Sequence, residues 1–169
     1  MTRQKKKAAS PAELEKLALG YLNRFDCTSH KLAAYLRKRS EKDMGPAIAA
    51  LVARYQASGL VSDERFAANA VRRLTERGTS GRAIAFRLGL KGVPPSVVSD
   101  ALEARSRDAV EPDLQAAKNL VRRRRLGPFR PEAERADNRR RDLAALARAG
   151  FDFETARRAL GDGSEEGDL

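Results

Sequence analysis

Apolar residues return at intervals of three and four along almost the entire chain, and glycine or proline interrupts them every few turns. That rhythm admits helices and little else, because a helix repeats about every 3.6 residues whereas a half-buried strand alternates. Leu14, Leu17, Ala18, Tyr21 and Leu22 form one stripe behind Ser10-Pro11-Ala12-Glu13, a capping box with proline at the first helical position. Shorter helices follow at Leu32, Ala33 and Leu36, then at Ile48, Leu51, Val52 and Tyr55, ending near Gly59.

The pattern restarts at Val61. Ser62 is placed to cap, Asp63 and Glu64 suit the positive helix end, and Val61 is expected to staple onto Phe66. Phe66, Ala70 and Leu74 continue the stripe until Gly78; Thr79 to Gly92 turns Ile84 and Leu88 inward; Pro94-Pro95 opens a helix with Val97, Val98, Ala101 and Leu102. A third round runs from Pro112 through Leu114, Ala117, Leu120 and Val121 to Gly127-Pro128. It continues with Leu143, Leu146 and Ala147 to Gly150, and closes with Asp152 capping a stripe of Phe153, Ala156 and Leu160.

No segment reads as a strand. The expectation is an all-α chain of nine helices in three tandem modules, 10–60, 61–108 and 109–160, each too small to bury much alone and so supported by its neighbours. A single compact bundle is the alternative. Residues 1–9 read as a disordered basic tail and 161–169 as a disordered acidic one. The second helices of the last two modules end alike, Leu88-Gly89-Leu90-Lys91-Gly92 against Leu146-Ala147-Arg148-Ala149-Gly150, each with glycine where a left-handed cap is needed.

Chemistry is sparse. His30 is the sole histidine and Cys27 the sole cysteine, which leaves no disulfide, no multi-cysteine metal site and no cofactor expected. Cys27 and His30 lie three apart, but at an interhelical turn with no orienting carboxylate they make a poor nucleophile–base pair. Gly78-Thr79-Ser80-Gly81-Arg82 lacks the strand and the Gly-Lys ending of a phosphate loop and reads as a helix connection. Binding rather than catalysis is expected. No apolar leader follows Lys5-Lys6-Lys7 and no run is long enough to span a membrane, so a soluble, cytoplasmic monomer is expected.

The charge is the strongest functional signal. Lys and Arg number 34 against 23 Asp and Glu, for a net charge of +11, which suits an anionic partner. The densest stretch, 121–141, has nine arginines (122–125, 130, 135, 139–141) against three acids (132, 134, 137). Arg122, Arg123, Arg124 and Arg125 make a full helical turn and cannot all face one surface. Arg139, Arg140 and Arg141 follow on the next helix. Arg37, Lys38 and Arg39 form a second basic group, Arg72 and Arg73 a third, so each module carries one. These twelve residues are the candidate contacts to a filament or nucleic acid; the bland alternative is a solvated charged face. Arginine's bidentate geometry fits phosphate and carboxylate equally.

Leu60-Val61-Ser62-Asp63-Glu64-Arg65-Phe66-Ala67 resembles the hallmark of the RecX regulatory family: a hydrophobic pair, one or two acids, then Arg-Phe-Ala. Leu88-Gly89-Leu90-Lys91-Gly92-Val93 is similar to its second signature, and Leu143, Leu146 and Ala149-Gly150-Phe151 to its third-repeat ending. Ala18, Tyr21 and Leu22 with Ser29 and Leu32 fit its first repeat, and the resemblance spans residues 12 to 160. Ser62 stands where that family commonly has an acid, and the first module lacks its Lys-Gly helix ending. The resemblance implies an elongated, curved, non-enzymatic modulator lying on a RecA filament on single-stranded DNA. It would lower RecA's ATPase and strand-exchange activity, limit filament growth and so temper recombination and the DNA-damage response. A helix-turn-helix-like regulator binding DNA directly, and a helical adaptor for another acidic partner, are the rivals; weak direct DNA contact is compatible with the first reading. In this reading Asp63, Glu64 and Phe66 are scaffold rather than contact.

Overall fold

The computed structural model describes residues 7–161, so most of the basic stretch 1–9 and of the acidic stretch 161–169 lies outside the described residues. Among those described, the chain forms nine α-helices and no strand, with one isolated bridge between Ala8 and Ser40. Helices α1 (Pro11–Leu22), α2 (Ser29–Arg39) and α3 (Gly45–Ala57) come first. They are followed by α4 (Asp63–Glu76), α5 (Gly81–Gly89) and α6 (Pro95–Asp108), then α7 (Pro112–Arg124), α8 (Glu132–Arg148) and α9 (Phe153–Ala159).

The helix starts follow local chemistry. Ser10, Thr28, Ser62, Ser80 and Asp152 each accept, through a side-chain oxygen, the backbone N–H three residues on. Proline takes the first position of α1, α6 and α7, where a missing N–H costs nothing. Gly92 and Gly150 have φ of 74° and 95°, the left-handed cap expected at both second-helix ends.

Three separate cores result. Leu14, Leu32, Leu36 and Ile48 are fully buried in the first, Ile84 and Leu88 in the second, and Leu120, Val121 and Leu146 in the third. Each such side chain contributes about 1.5–3 kcal/mol. That is little for units of about 50 residues, which lie near the lower size limit for independent folding. Two local expectations are corrected. Val61 packs into the first core while Phe66 belongs to the second, so the residue read as a staple joins two modules instead. Phe153 is 68% exposed at the start of α9, and Phe151, released by the turn at Gly150, is buried in its place.

What joins the modules is a repeated contact. Asp63, the first residue of α4, is buried and accepts from the backbone N–H of Ser29 (2.8 Å) and its hydroxyl (2.6 Å) at the start of α2. Asp113, in the first turn of α7, accepts from the N–H of Gly81 (2.9 Å) at the start of α5. In both joints a carboxylate from one module closes the helix N-terminus of the module before it. Beside it, the capping residue meets the second-helix ending of the next module. Thr28 Oγ1 donates to the Lys91 carbonyl (2.7 Å), and Ser80 N–H to the Ala149 carbonyl (3.4 Å). A Cβ on Gly92 would collide with the His30 ring and one on Gly150 with the Ser80 hydroxyl, so both glycines are required by contact as well as by φ.

Charge-assisted bonds of this kind contribute about 1.5–3 kcal/mol each, a large share of a marginal module's stability. Asp63→Ala should therefore destabilise the chain by about 2–3 kcal/mol in urea unfolding, whereas Asp63→Asn, which keeps an acceptor for the Ser29 N–H, costs about 1 kcal/mol. Equal losses for the two variants would contradict the joint.

Candidate basic interaction surface

The arginines of the third module divide by what holds them. Helix α7 ends by burying Leu120 and Val121 while Arg122, Arg123, Arg124 and Arg125 all stay exposed. Their position at the negative helix end favours cations. Arg125 takes a left-handed conformation (φ 52°, ψ 51°), the only non-glycine residue with positive φ among the described residues.

Arg130 and Arg135 are structural. Buried Asp142 receives Arg130 bidentately (2.9 and 2.8 Å) and the Gly127 N–H (2.8 Å). Burial is the largest influence on Asp142 and opposes its ionisation, but the bonds from Arg130 and Gly127 outweigh it and hold its pKa below the ordinary value. Arg135 donates to the carbonyls of Arg130 (3.1 Å) and Pro128 (3.1 Å). Together they shape Gly127–Phe129 into a single 3-10 turn, and α8 begins soon after it, at Glu132.

The first turns of α8 are therefore helical yet exposed on nearly every side, and Arg139, Arg140 and Arg141 stand on them. Arg141 also reaches Asn138 Oδ1 (3.4 Å). Arg72 and Arg73 are exposed on α4, Arg72 bonding Asn69 Oδ1 (3.4 Å). Arg37 and Lys38 are exposed at the end of α2, while Arg39 is partly covered and lies 4.8 Å from the Tyr35 ring centroid. The fold thus gathers seven of the twelve candidates in the third module and leaves the other groups on the first and second.

Cys27 is buried, and burial first, with the charges of Asp26 and Asp63 after it, pushes its thiol up to about 11. It stays protonated at neutral pH and is a poor nucleophile. His30 is exposed beside Gly92. No helix among the described residues is long and apolar enough to cross a membrane.

A family model described as "RecX, second three-helix domain" matches residues 62–102, the span of α4, α5 and the first half of α6. The chain is 41% identical over 162 residues to the regulatory protein RecX of Myxococcus xanthus (strain DK1622), covering 89% of this chain and 86% of that one. The chain belongs to the RecX family. It is also 34% identical over 143 residues to the regulatory protein RecX of Stenotrophomonas maltophilia (strain K279a), with 84% and 82% covered. The crystal structure of RecX from Lactobacillus salivarius superimposes with a TM-score of 0.65 at 17% identity, covering 89% of this chain and 94% of that one. A similarity that remote speaks to the fold, and the fold is the all-helical array expected.

The RecX signatures acquire a physical meaning here. Asp63 of the hallmark segment, read as a helix-start charge, is the carboxylate of the first joint; Lys91 and Gly92 of the second signature are what Thr28 and His30 rest on. The Arg130–Asp142 pair was missed because a run of arginines hides which of them has a buried partner twelve residues on.

The depressed Asp142 pKa fixes a pH dependence. A carboxyl with a lowered folded pKa stabilises above its unfolded value, about 3.9, and that contribution is lost as pH falls through the folded value. Asp142→Asn should be less stable than the parent at neutral pH, and the gap should shrink below about pH 4. A gap independent of pH in acid-titrated urea melts would contradict the assignment.

Proposed function

We propose that the chain regulates RecA by binding its filament on single-stranded DNA, lowering ATP hydrolysis and strand exchange and limiting filament growth. Membership of the RecX family, carried by the Myxococcus relative at 41% identity, is the observation behind this reading. The chain works by binding rather than catalysis: its only thiol is buried and protonated, and its one histidine is an exposed neighbour of a glycine. Three joined modules, each with exposed cations, suit an extended partner better than a pocket does.

Arg122 to Arg125 and Arg139 to Arg141 supply most of the contact in this proposal, with Arg37, Lys38, Arg39, Arg72 and Arg73 assisting. All but Arg39 are exposed. Direct reading of duplex sequence fits less well. A helix-turn-helix protein contacts base edges with the N-terminal residues of a recognition helix. The third helices here begin Gly45-Pro46-Ala47, Pro95-Ser96-Val97 and Phe153-Glu154-Thr155, with no cation in their first turns. The arginine quartet sits instead at a C-terminal helix end, where it suits phosphate or carboxylate.

Added at stoichiometric ratio to RecA, single-stranded DNA and ATP, the chain should reduce ATP hydrolysis and shorten filaments; no effect would overturn the proposal. Substituting Arg122, Arg123, Arg124 and Arg125 by Ala should leave the fold intact and weaken inhibition about tenfold or more, since each charged interface contact contributes about 1 kcal/mol or more. A folded variant that inhibits as well as the parent would reduce that patch to a solvated face.

A further inference from the structure

The first module carries an aromatic cluster that the joints do not use, edged by Lys38 and Arg39 of its basic group. Tyr21 on α1 stacks on Tyr35 of α2 with ring centroids 4.2 Å apart and planes 24° from parallel. Phe25, in the turn after α1, meets Tyr21 at 5.1 Å and 42°. The three rings make a row with a guanidinium at each end: Arg24 lies 5.8 Å from the Phe25 centroid and Arg39 lies 4.8 Å from the Tyr35 centroid. Arg24 is pinned there by donating from Nε to the Gly20 carbonyl (3.1 Å).

The row lies over the first core, with Tyr21 and Tyr35 packed against it and Phe25 outside. Leu14, Leu32, Leu36 and Ile48 close the module beneath it, while Phe25 leaves 51% of its surface in solvent and both tyrosines are only partly covered. Its surroundings are basic. Lys31, Tyr35, Lys38 and Arg39 share one stripe of α2 at i, i+4, i+7 and i+8. The Ala8 N–H donates to the Arg39 carbonyl (2.9 Å), so the chain brings exposed Lys7 to the same end. Asp26 and Glu41 are the nearby acids, yet among the described residues neither Arg24 nor Arg39 is ion-paired.

We propose that this row is a stacking site for single-stranded nucleic acid. Unpaired bases would lie on Phe25 and, once Arg39 swings from the ring onto a phosphate, on the outer face of Tyr35; phosphates would run along Lys31, Lys38 and Arg39. Exposed rings flanked by cations are what sequence-tolerant single-strand binding uses, because every base offers a π-face and every phosphate a charge. A duplex keeps its bases stacked inside and has no face to give Phe25. An acidic peptide would use the guanidiniums and leave the rings idle. The site shares Lys38 and Arg39 with the filament surface proposed above, but it acts on naked nucleic acid.

The chain has three tyrosines and no tryptophan, and two of the three are in the row, so intrinsic tyrosine emission reports on it directly. The full chain should bind a labelled oligothymidylate of about 15 nucleotides, with a change in tyrosine emission at saturation and weaker binding to a duplex of the same length. Phe25→Leu keeps an apolar side chain at an exposed position and should weaken binding about tenfold. Arg39→Gln should lower the dependence of log affinity on log salt by about 0.7, one phosphate contact on a single strand. No binding by the parent, parental affinity in Phe25→Leu with unchanged melting, or equal affinity for duplex would each overturn the site. Because RecA is absent from the assay, such a failure leaves the filament reading to its own test.

Discussion

The first N–H groups of a helix have no partner inside the helix, and in this chain the module that follows supplies one. Asp63 closes the start of α2 and Asp113 the start of α5, each from the first turn of the following module. The two joints differ in the carboxylate's second partner. Asp63 takes the Ser29 hydroxyl, whereas Asp113 takes Arg105, whose side chain is only 9% exposed and also donates to the Pro112 carbonyl. A carboxylate at a positive helix end, desolvated on one side, is anchored in both distance and direction. Three small cores are joined this way without sharing a core, and the glycines at 92 and 150 are what allow the neighbouring segments to approach closely enough.

The same economy governs the arginines. Arg105 and Arg130 are turned inward by Asp113 and Asp142 and set the geometry of the second joint and of the turn after α7. Those charges are spent on structure, whereas Arg122 to Arg125 at the end of α7 and Arg139 to Arg141 on α8 stand exposed. A chain whose cations were all in solvent would have no fixed presentation, and one whose cations were all paired would have no charge to offer a partner. The division leaves the paired arginines inside the fold and the exposed ones on its surface.

Much of the fold was legible because helices and their caps are local. Ser10, Ser62 and Asp152 cap where the residue pattern says they should, and the glycine after the second helix of each of the last two modules is left-handed as its spacing requires. Contacts between distant residues were not legible. Nothing near Asp63 in the chain says that Ser29 awaits it, and Val61 reads as a local staple because its true neighbours lie in the preceding module. Periodicity also failed at Phe153, where a helix's first residue has no neighbouring turn to cover it. Among the basic residues the runs were evident, but exposure depends on whether a carboxylate happens to be buried alongside. The long exposed start of α8 went unseen because a helix without an apolar stripe has no period to detect.

Amide hydrogen exchange at Ser29 and Gly81 tests the joint most directly. First-turn N–H groups of ordinary helices exchange readily because they lack a partner. If the carboxylates of Asp63 and Asp113 hold these two as described, both amides should exchange as slowly as those of the buried Leu36 and Leu88. Exchange as fast as at the start of α1, which no other module closes, would contradict the account.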